Sequence, residues 1–274
     1  MAYKRILTVQ DISCLGQCSM TVALPVLSAC GHETCILPTA VLSTHTGGFG
    51  RPQVRHLADM IEGVRRHWQE NGITFDAILV GYLGSIQAIE AVSELADTML
   101  APGGKLIVDP AMADHGKLYS GFDEAYAKAM QNLCEKAQVM IPNITEAAMM
   151  TGMPFREEYD ESYIRELLSR LQGREVVLTG VSASADKTGV AIRSGESVSI
   201  YQHDRVGKSY HGTGDLFAAA FTGALMQEKS MEDAVKIAAD FTLESIRNTF
   251  ENPAHWYGVK FETAIPGLIR TLFG

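Results

Sequence analysis

No apolar run in the 274-residue chain approaches the roughly 20 residues needed to span a membrane. At the N-terminus only Ile6 to Val9 precede Gln10 and Asp11, too short a run for a signal peptide. Basic runs are missing too. There are 23 Lys and Arg against 32 Asp and Glu, a net charge of −9, which argues against binding a nucleic-acid backbone. Any anionic ligand must be held by a local device. The five cysteines, Cys14, Cys18, Cys30, Cys35 and Cys134, show no two-residue spacing of a zinc knuckle or redox pair. Their odd number, and the apolar or small neighbours of three of the first four, predict buried free thiols in a reducing compartment. A cytoplasmic protein with no membrane partner follows. Familiar site motifs are absent as well: no P-loop, no Gly-x-Gly-x-x-Gly, and no final glycine for a nucleophile elbow at Gly180–Ser184. The eight histidines have no paired ligand spacing, so His203 and His211 read as surface or packing residues.

What is present is an ordinary globular composition, 46% apolar and 20% charged, without internal repeats or a low-complexity linker. Short apolar runs predict strands at Arg5–Gln10, Glu33–Leu37, Ala77–Val80, Lys105–Asp109, Val139–Ile141 and Glu175–Thr179. Helices are predicted between them: a stripe of Val54, Leu57, Ala58, Ile61, Val64 and Trp68, then Ser85–Leu100, Phe122–Cys134 and Asp160–Leu171. Thr188–Arg193 and Ser197–Gln202 read as an antiparallel hairpin. Beyond it, helices are expected at Gly212–Met226, Ser230–Phe250 and Phe261–Leu272, the last disturbed by Pro266. This rhythm predicts an α/β protein with a mostly parallel sheet, in one domain over residues 1–274. A TIM barrel is the alternative, and the hairpin and helical end fit it less well.

Candidate chemistry gathers at predicted strand ends and helix starts. Gly212-Thr213-Gly214 opens a helix, freeing backbone N–H groups where the dipole favours an anion. Asp215 there would repel a resting anion, yet suits a base acting while phosphate charge develops. An ordinary first-turn acid is the plainer reading. Asn143-Ile-Thr-Glu146 offers a carboxylate for hydrated Mg²⁺, or simply a helix cap. Asp109-Pro110 ends a strand and Asp114 follows, placing carboxylates near a metal–phosphate group or forming a turn. Thr179-Gly180 could admit a nucleotide. Ser43-Thr-His45-Thr46 lies in a polar loop, Tyr82 could lie against a flat ring, and Lys208 is a phosphate contact or a solvated lysine.

In their fixed order, Val9-Gln10, Ser43–Thr46, Gly81–Ser85, Asp109–Met112, Pro142–Glu146 and Gly212–Asp215 resemble the ribokinase superfamily, and within it the pyridoxal (vitamin B6) kinases. The resemblance covers most of the chain. It implies a ribokinase-like three-layer α/β/α fold with a short β-hairpin flap, and ATP-dependent phosphorylation of a hydroxymethyl group on a pyridine ring. By that analogy Asp215 is the base, and Gly212, Thr213 and Gly214 form the anion hole. Asp109, Asp114, Asn143 and Glu146 surround Mg²⁺ and the phosphates, with Asp109 and Glu146 on the metal and Thr179 and Lys208 near the nucleotide. Asp11, Ser13, His45, Thr46 and Tyr82 face the vitamer. ATP and Mg²⁺ are the implied cofactors, with a monovalent cation as an optional addition, and a homodimer is the expected assembly.

The chain departs from that pattern at Asp11, where serine is usual, and at Leu15, where an aromatic residue is usual. A carboxylate at Asp11 suits an amine-bearing vitamer. Hydroxymethylpyrimidine kinases of the same superfamily are the alternative, but they usually carry cysteine at the position of Asp215. A sugar kinase would need a separate lid, and a non-catalytic vitamin- or nucleotide-binding regulator would have no need of both Asp215 and Glu146.

Overall fold

The computed structural model describes residues 2–182, 186–207 and 210–274, so Lys208 lies outside the described residues. In chain order the elements are β1 (Arg5–Ser13), α1 (Met20–Ala29), β2 (Glu33–Leu42), β3 (Val54–His56), α2 (Ala58–Glu70), β4 (Phe75–Val80), α3 (Ile86–Met99) and β5 (Leu100–Val108). They continue through β6 (Ala113–Asp114), β7 (Lys117–Leu118), α4 (Glu124–Lys136), β8 (Val139–Met140), α5 (Ile144–Thr151), α6 (Glu161–Arg170), β9 (Glu175–Val181), β10 (Lys187–Ser194) and β11 (Ser197–Asp204). The chain ends with α7 (Thr213–Met226), α8 (Met231–Phe250), a 3₁₀ turn at Phe261–Thr263 and α9 (Ile265–Phe273).

Nine strands form one sheet in the order β11-β10-β9-β8-β5-β4-β1-β2-β3. Every pairing from β9 across to β2 is parallel. Only β3 at one edge and β10–β11 at the other run antiparallel. The central strands carry consecutive apolar residues where both faces are covered, as at Ala77–Val80 and Val176–Leu178. Leu7, Val9, Ile78, Val80, Val176 and Leu178 pack against α2 to α6, while Ile6, Ala77, Leu79 and Val177 pack against α1, α7, α8 and α9. The result is three layers, helix–sheet–helix. The expected hairpin is continuous with the sheet, extending its edge beyond β9.

Several boundaries differ from expectation for physical reasons. Val54 does not belong to the helical stripe. It pairs with Leu42 in the β2–β3 ladder and is 46% exposed, as an edge strand tolerates. Helix α1 has no sequence counterpart above, because it is apolar nearly all round, so no stripe marks it, and Pro25 lies inside it. Strand β5 begins at Leu100, immediately after α3, five residues before the expected Lys105. Pro266 starts α9 rather than disturbing it, since a missing N–H costs nothing in the first turn. All five thiols are free; Cys18, Cys30 and Cys134 are buried, Cys35 is half-buried and Cys14 is exposed. No helix of the described residues is long and apolar enough to cross a membrane.

Candidate active site

The parallel ladder carries its register past the strand ends and brings five segments to one level. Gly81 N–H donates to Val9 O at 3.1 Å, Asp109 N–H to Val80 O at 2.9 Å, Ile141 N–H to Val108 O at 2.8 Å, and Thr179 N–H to Pro142 O at 2.9 Å. Asp11, Tyr82, Asp109, Asn143 and Thr179 therefore stand along the carboxyl edge of the sheet. The chain reverses its winding between β1 and β4, and such a reversal leaves a crevice at the strand ends. A cleft of about 610 Å³ opens there, lined among others by Asp109, Asp114, Asn143, Glu146, Thr179 and Gly212–Asp215.

The Gly212 turn is shaped by close contact with the chain before α1. Gly212 has φ 78° and begins α7 with no side chain capping it. A Cβ at Gly212 would fall 1.9 Å from the Gln17 carbonyl oxygen, so only glycine fits. The first-turn amides of α7 are left facing the cleft, the usual arrangement for holding an anion. Gly214 lies beside Asp109: a Cβ there would stand 3.8 Å from Asp109 Oδ2. Asp215 is half-buried at the same turn. Burial and the negative charge of Asp11 push its carboxyl up to about 7, against the hydrogen bond it accepts from the Ser19 backbone. A carboxylate in that range can take a proton near neutrality.

Asp109 and Glu146 are buried, at 9% and 2% exposure. Burial raises Asp109 well above the usual carboxylate range, with Glu146 and Asp215 adding like charge. Burial also pushes Glu146 up to about 8, although three amides offset part of this. Glu146 Oε2 accepts from Asn143 N at 2.8 Å, and Oε1 from Met112 N at 3.1 Å and Ala113 N at 3.4 Å. Asn143 Oδ1 accepts from Glu146 N at 2.9 Å, completing a capping box on α5, while its Nδ2 donates to Ala113 O at 2.8 Å. The cap and the place in the cleft thus coexist. Asp114 is exposed and accepts from His115 N at 2.8 Å in the β6–β7 turn. Among the described residues the cleft lining holds no lysine or arginine, so the acids have no fixed counter-charge there.

The residues expected on the vitamer side lie at the β1 and β4 ends and in the loop after β2. Asp11 is buried at 3% exposure, beside a register shift between β1 and β2, and accepts from Ser13 Oγ at 3.0 Å. Tyr82 stacks on Phe122, centroids 5.5 Å apart, and Phe122 stacks in turn on Tyr126. Both ring nitrogens of His45 serve the backbone: Nε2 lies 3.0 Å from Tyr257 O, and Nδ1 accepts from Gly47 N at 3.1 Å. Its ring therefore fastens the loop, while Thr46 is exposed. None of Asp11, Ser13, His45, Thr46 and Tyr82 lines the 610 Å³ cleft; Asp11 acts on it through its charge at Asp215.

Sequence reasoning missed Tyr119 and Ser19. Tyr119 lines the cleft, and burial plus Glu146, Asp109, Asp114 and Asp215 raise its phenol. His211 also lines the cleft and touches the loop, 4.9 Å from the His45 ring. Only position could have flagged these residues: Tyr119 is five residues past Asp114, Ser19 precedes an apolar segment, and neither spacing is a motif.

Residues 24–259 match the family model described as phosphomethylpyrimidine kinase. A curated relative, the pyridoxine/pyridoxal/pyridoxamine kinase of Bordetella bronchiseptica, is 27% identical over 90% of this chain and 89% of its own. Among solved structures, the pyridoxal kinase of Lactobacillus plantarum is 32% identical, with a TM-score of 0.89 over 97% of both chains. A Bacteroides thetaiotaomicron protein assigned to the phosphomethylpyrimidine kinases, crystallised with pyridoxal, is 34% identical, with a TM-score of 0.90 over 97% of this chain and 95% of that one.

Proposed function

The chain belongs to the phosphomethylpyrimidine kinase family, and from that premise we propose that it is an ATP-dependent kinase of a vitamin B6 vitamer, phosphorylating the 5′-hydroxymethyl group. The observation that carries this reading is Asp215, held at the mouth of a helix-start anion turn with its carboxyl near 7. Asp215 takes the hydroxymethyl proton as the oxygen forms its bond to the γ-phosphorus and the bond to the ADP oxygen breaks. The amides of Gly212–Gly214 meet the charge on the transferring group. Four relatives named for B6 vitamers or bound to pyridoxal cover nearly the whole chain length in support.

Mg²⁺ fits the residues present. Unneutralised carboxylates line the cleft, and among the described residues no cluster of three His, Cys, Asp or Glu could cage a metal alone. That donor set suits an ion completed by phosphate oxygens and water. Asp109 would hold it, with Glu146 acting through water because three amides already occupy its oxygens. When bound, the ion neutralises phosphate charge. Asp114, Asn143 and Thr179 would border the nucleotide, and Asp11, Ser13, His45, Thr46 and Tyr82 the vitamer. One kinase domain and a homodimer complete the reading; exposed Ile36, Val54 and Met60 near the β2–β3 edge support the pairing.

The test is ADP release with pyridoxal, pyridoxine, pyridoxamine and hydroxymethylpyrimidine as acceptors. At least one B6 vitamer should turn over, and Asp215→Asn should remove most of that activity. Turnover of hydroxymethylpyrimidine alone, or undiminished turnover in Asp215→Asn, overturns the reading.

A further inference from the structure

The end of β9 carries an irregularity that falls inside the cleft. Thr179 pairs with Val190 and Val181 with Gly189, so the β9–β10 ladder passes over Gly180. Gly180 is the extra residue of a bulge, with φ 71°, and such a bulge bends a strand and re-aims its end. Gly180 and Gly189 both line the cleft beside Thr179. Gly189 is held by its surroundings: a Cβ there would fall 2.0 Å from the Tyr201 carbonyl oxygen on β11. Gly180 is the opposite case. It is exposed, a Cβ on it would meet nothing within 4 Å, and glycine has more backbone freedom to lose than any other residue. Close packing therefore does not set its conformation.

A side chain from outside the sheet does. Tyr159, in the connection between α5 and α6, donates its hydroxyl proton to Gly180 O at 3.1 Å and accepts from Ser182 N at 3.1 Å. One hydroxyl thus spans the bulge, from the residue the ladder skips to the second residue beyond it. The ring is fixed in turn. It lies 5.5 Å from the Tyr163 ring in α6, and Tyr163 donates its own hydroxyl to Pro154 O at 2.8 Å across the same connection. On either side of Gly180 the chain is tied by other bonds. Thr179 N–H donates to Pro142 O at 2.9 Å, and Ser182 Oγ donates to Lys187 O at 2.9 Å.

We propose that Tyr159 is a positioning residue for nucleotide binding: its hydroxyl holds the Gly180 bulge in the shape that lets the nucleotide lie against the end of β9. This rests on the cleft being the ATP site. Without the hydroxyl the free turn samples other backbone conformations, and part of the nucleotide's binding free energy goes into selecting the competent one. The loss falls on nucleotide affinity and not on the transfer step.

Tyr159→Phe tests it, because it removes the hydroxyl and keeps the ring. Calorimetry should show the Kd for ADP raised about fivefold, the net worth of one hydrogen bond, and KM for ATP should rise in step. The acceptor KM, and kcat at saturating ATP, should stay within about twofold of wild type. Gly180→Ala probes the other end of the bond: a side chain disfavours the positive φ, so this variant should weaken ADP as well. Tyr159→Phe added to Gly180→Ala should weaken ADP no further, since both act through one bulge. An unchanged Kd in Tyr159→Phe, with or without a lower melting temperature, overturns the proposal. A rise confined to the acceptor KM, additive losses in the double variant, or a wild-type protein that binds no ADP overturns it too. Failure of the vitamer reading shows separately, as ADP binding without phosphorylation of any vitamer, and leaves the affinity comparison standing.

Discussion

Asp215→Asn should make the ligand-free protein more stable while making it a poor kinase, and the stability gain should grow with pH. The unfolded carboxyl ionises at 3.8 and the folded one at about 7. Between those values the folded state holds a proton that the unfolded state has released, so wild-type stability from this group falls as pH rises and the loss is complete above about 7. Each unit is worth about 1.4 kcal/mol, so raising the pH from 5 to 8 should cost the wild type about 2–3 kcal/mol relative to Asp215→Asn. Asparagine has no charge to desolvate and escapes that loss. The assay is urea unfolding of both proteins at pH 5 and 8, in chelator and without nucleotide. In parallel, kcat should fall at least about 100-fold, the usual worth of a positioned base. A stability gap that stays constant or narrows with pH refutes the burial argument. A widening gap with full activity refutes the catalytic role instead.

Gly212→Ala should abolish transfer and lower the melting temperature, because the new methyl would meet the Gln17 carbonyl at 1.9 Å and the backbone sits at φ 78°; the strain alone is worth about 1–3 kcal/mol. Calorimetry beside the ADP assay checks both, and a wild-type melting temperature would refute the packing argument. Asp11→Ser should weaken the use of pyridoxamine relative to pyridoxal by about tenfold, the worth of a hydrogen bond to a charged group. The ratio of the two kcat/KM values is the measurement; an unchanged ratio refutes the charge preference.

Much of this was legible before any coordinates. Ile6–Leu7, Ala77–Val80 and Val176–Leu178 are apolar at consecutive positions because both sheet faces are covered, and that pattern survives in a linear string. Gly212–Asp215 and Asn143–Glu146 were visible because glycine turns and helix caps are local chemistry, encoded within four residues. What stayed hidden depends on partners distant in sequence. Helix α1 has no polar face to show its period, and Val54 is a strand only because Leu42 lies beside it.

The sequence by itself determined the alternation of strand and helix, the acids available for the site, and the glycine turn that exposes amides to an anion. Only the tertiary structure decided which acids share a cleft, how far burial raises them, and that the charge of Asp11 reaches Asp215. The reason is physical. A residue's type and near neighbours set its backbone preferences, but its desolvation, its charged company and the strain it is made to bear are set by segments nearly 200 residues away, such as α7 against the turn at Gln17–Ser19.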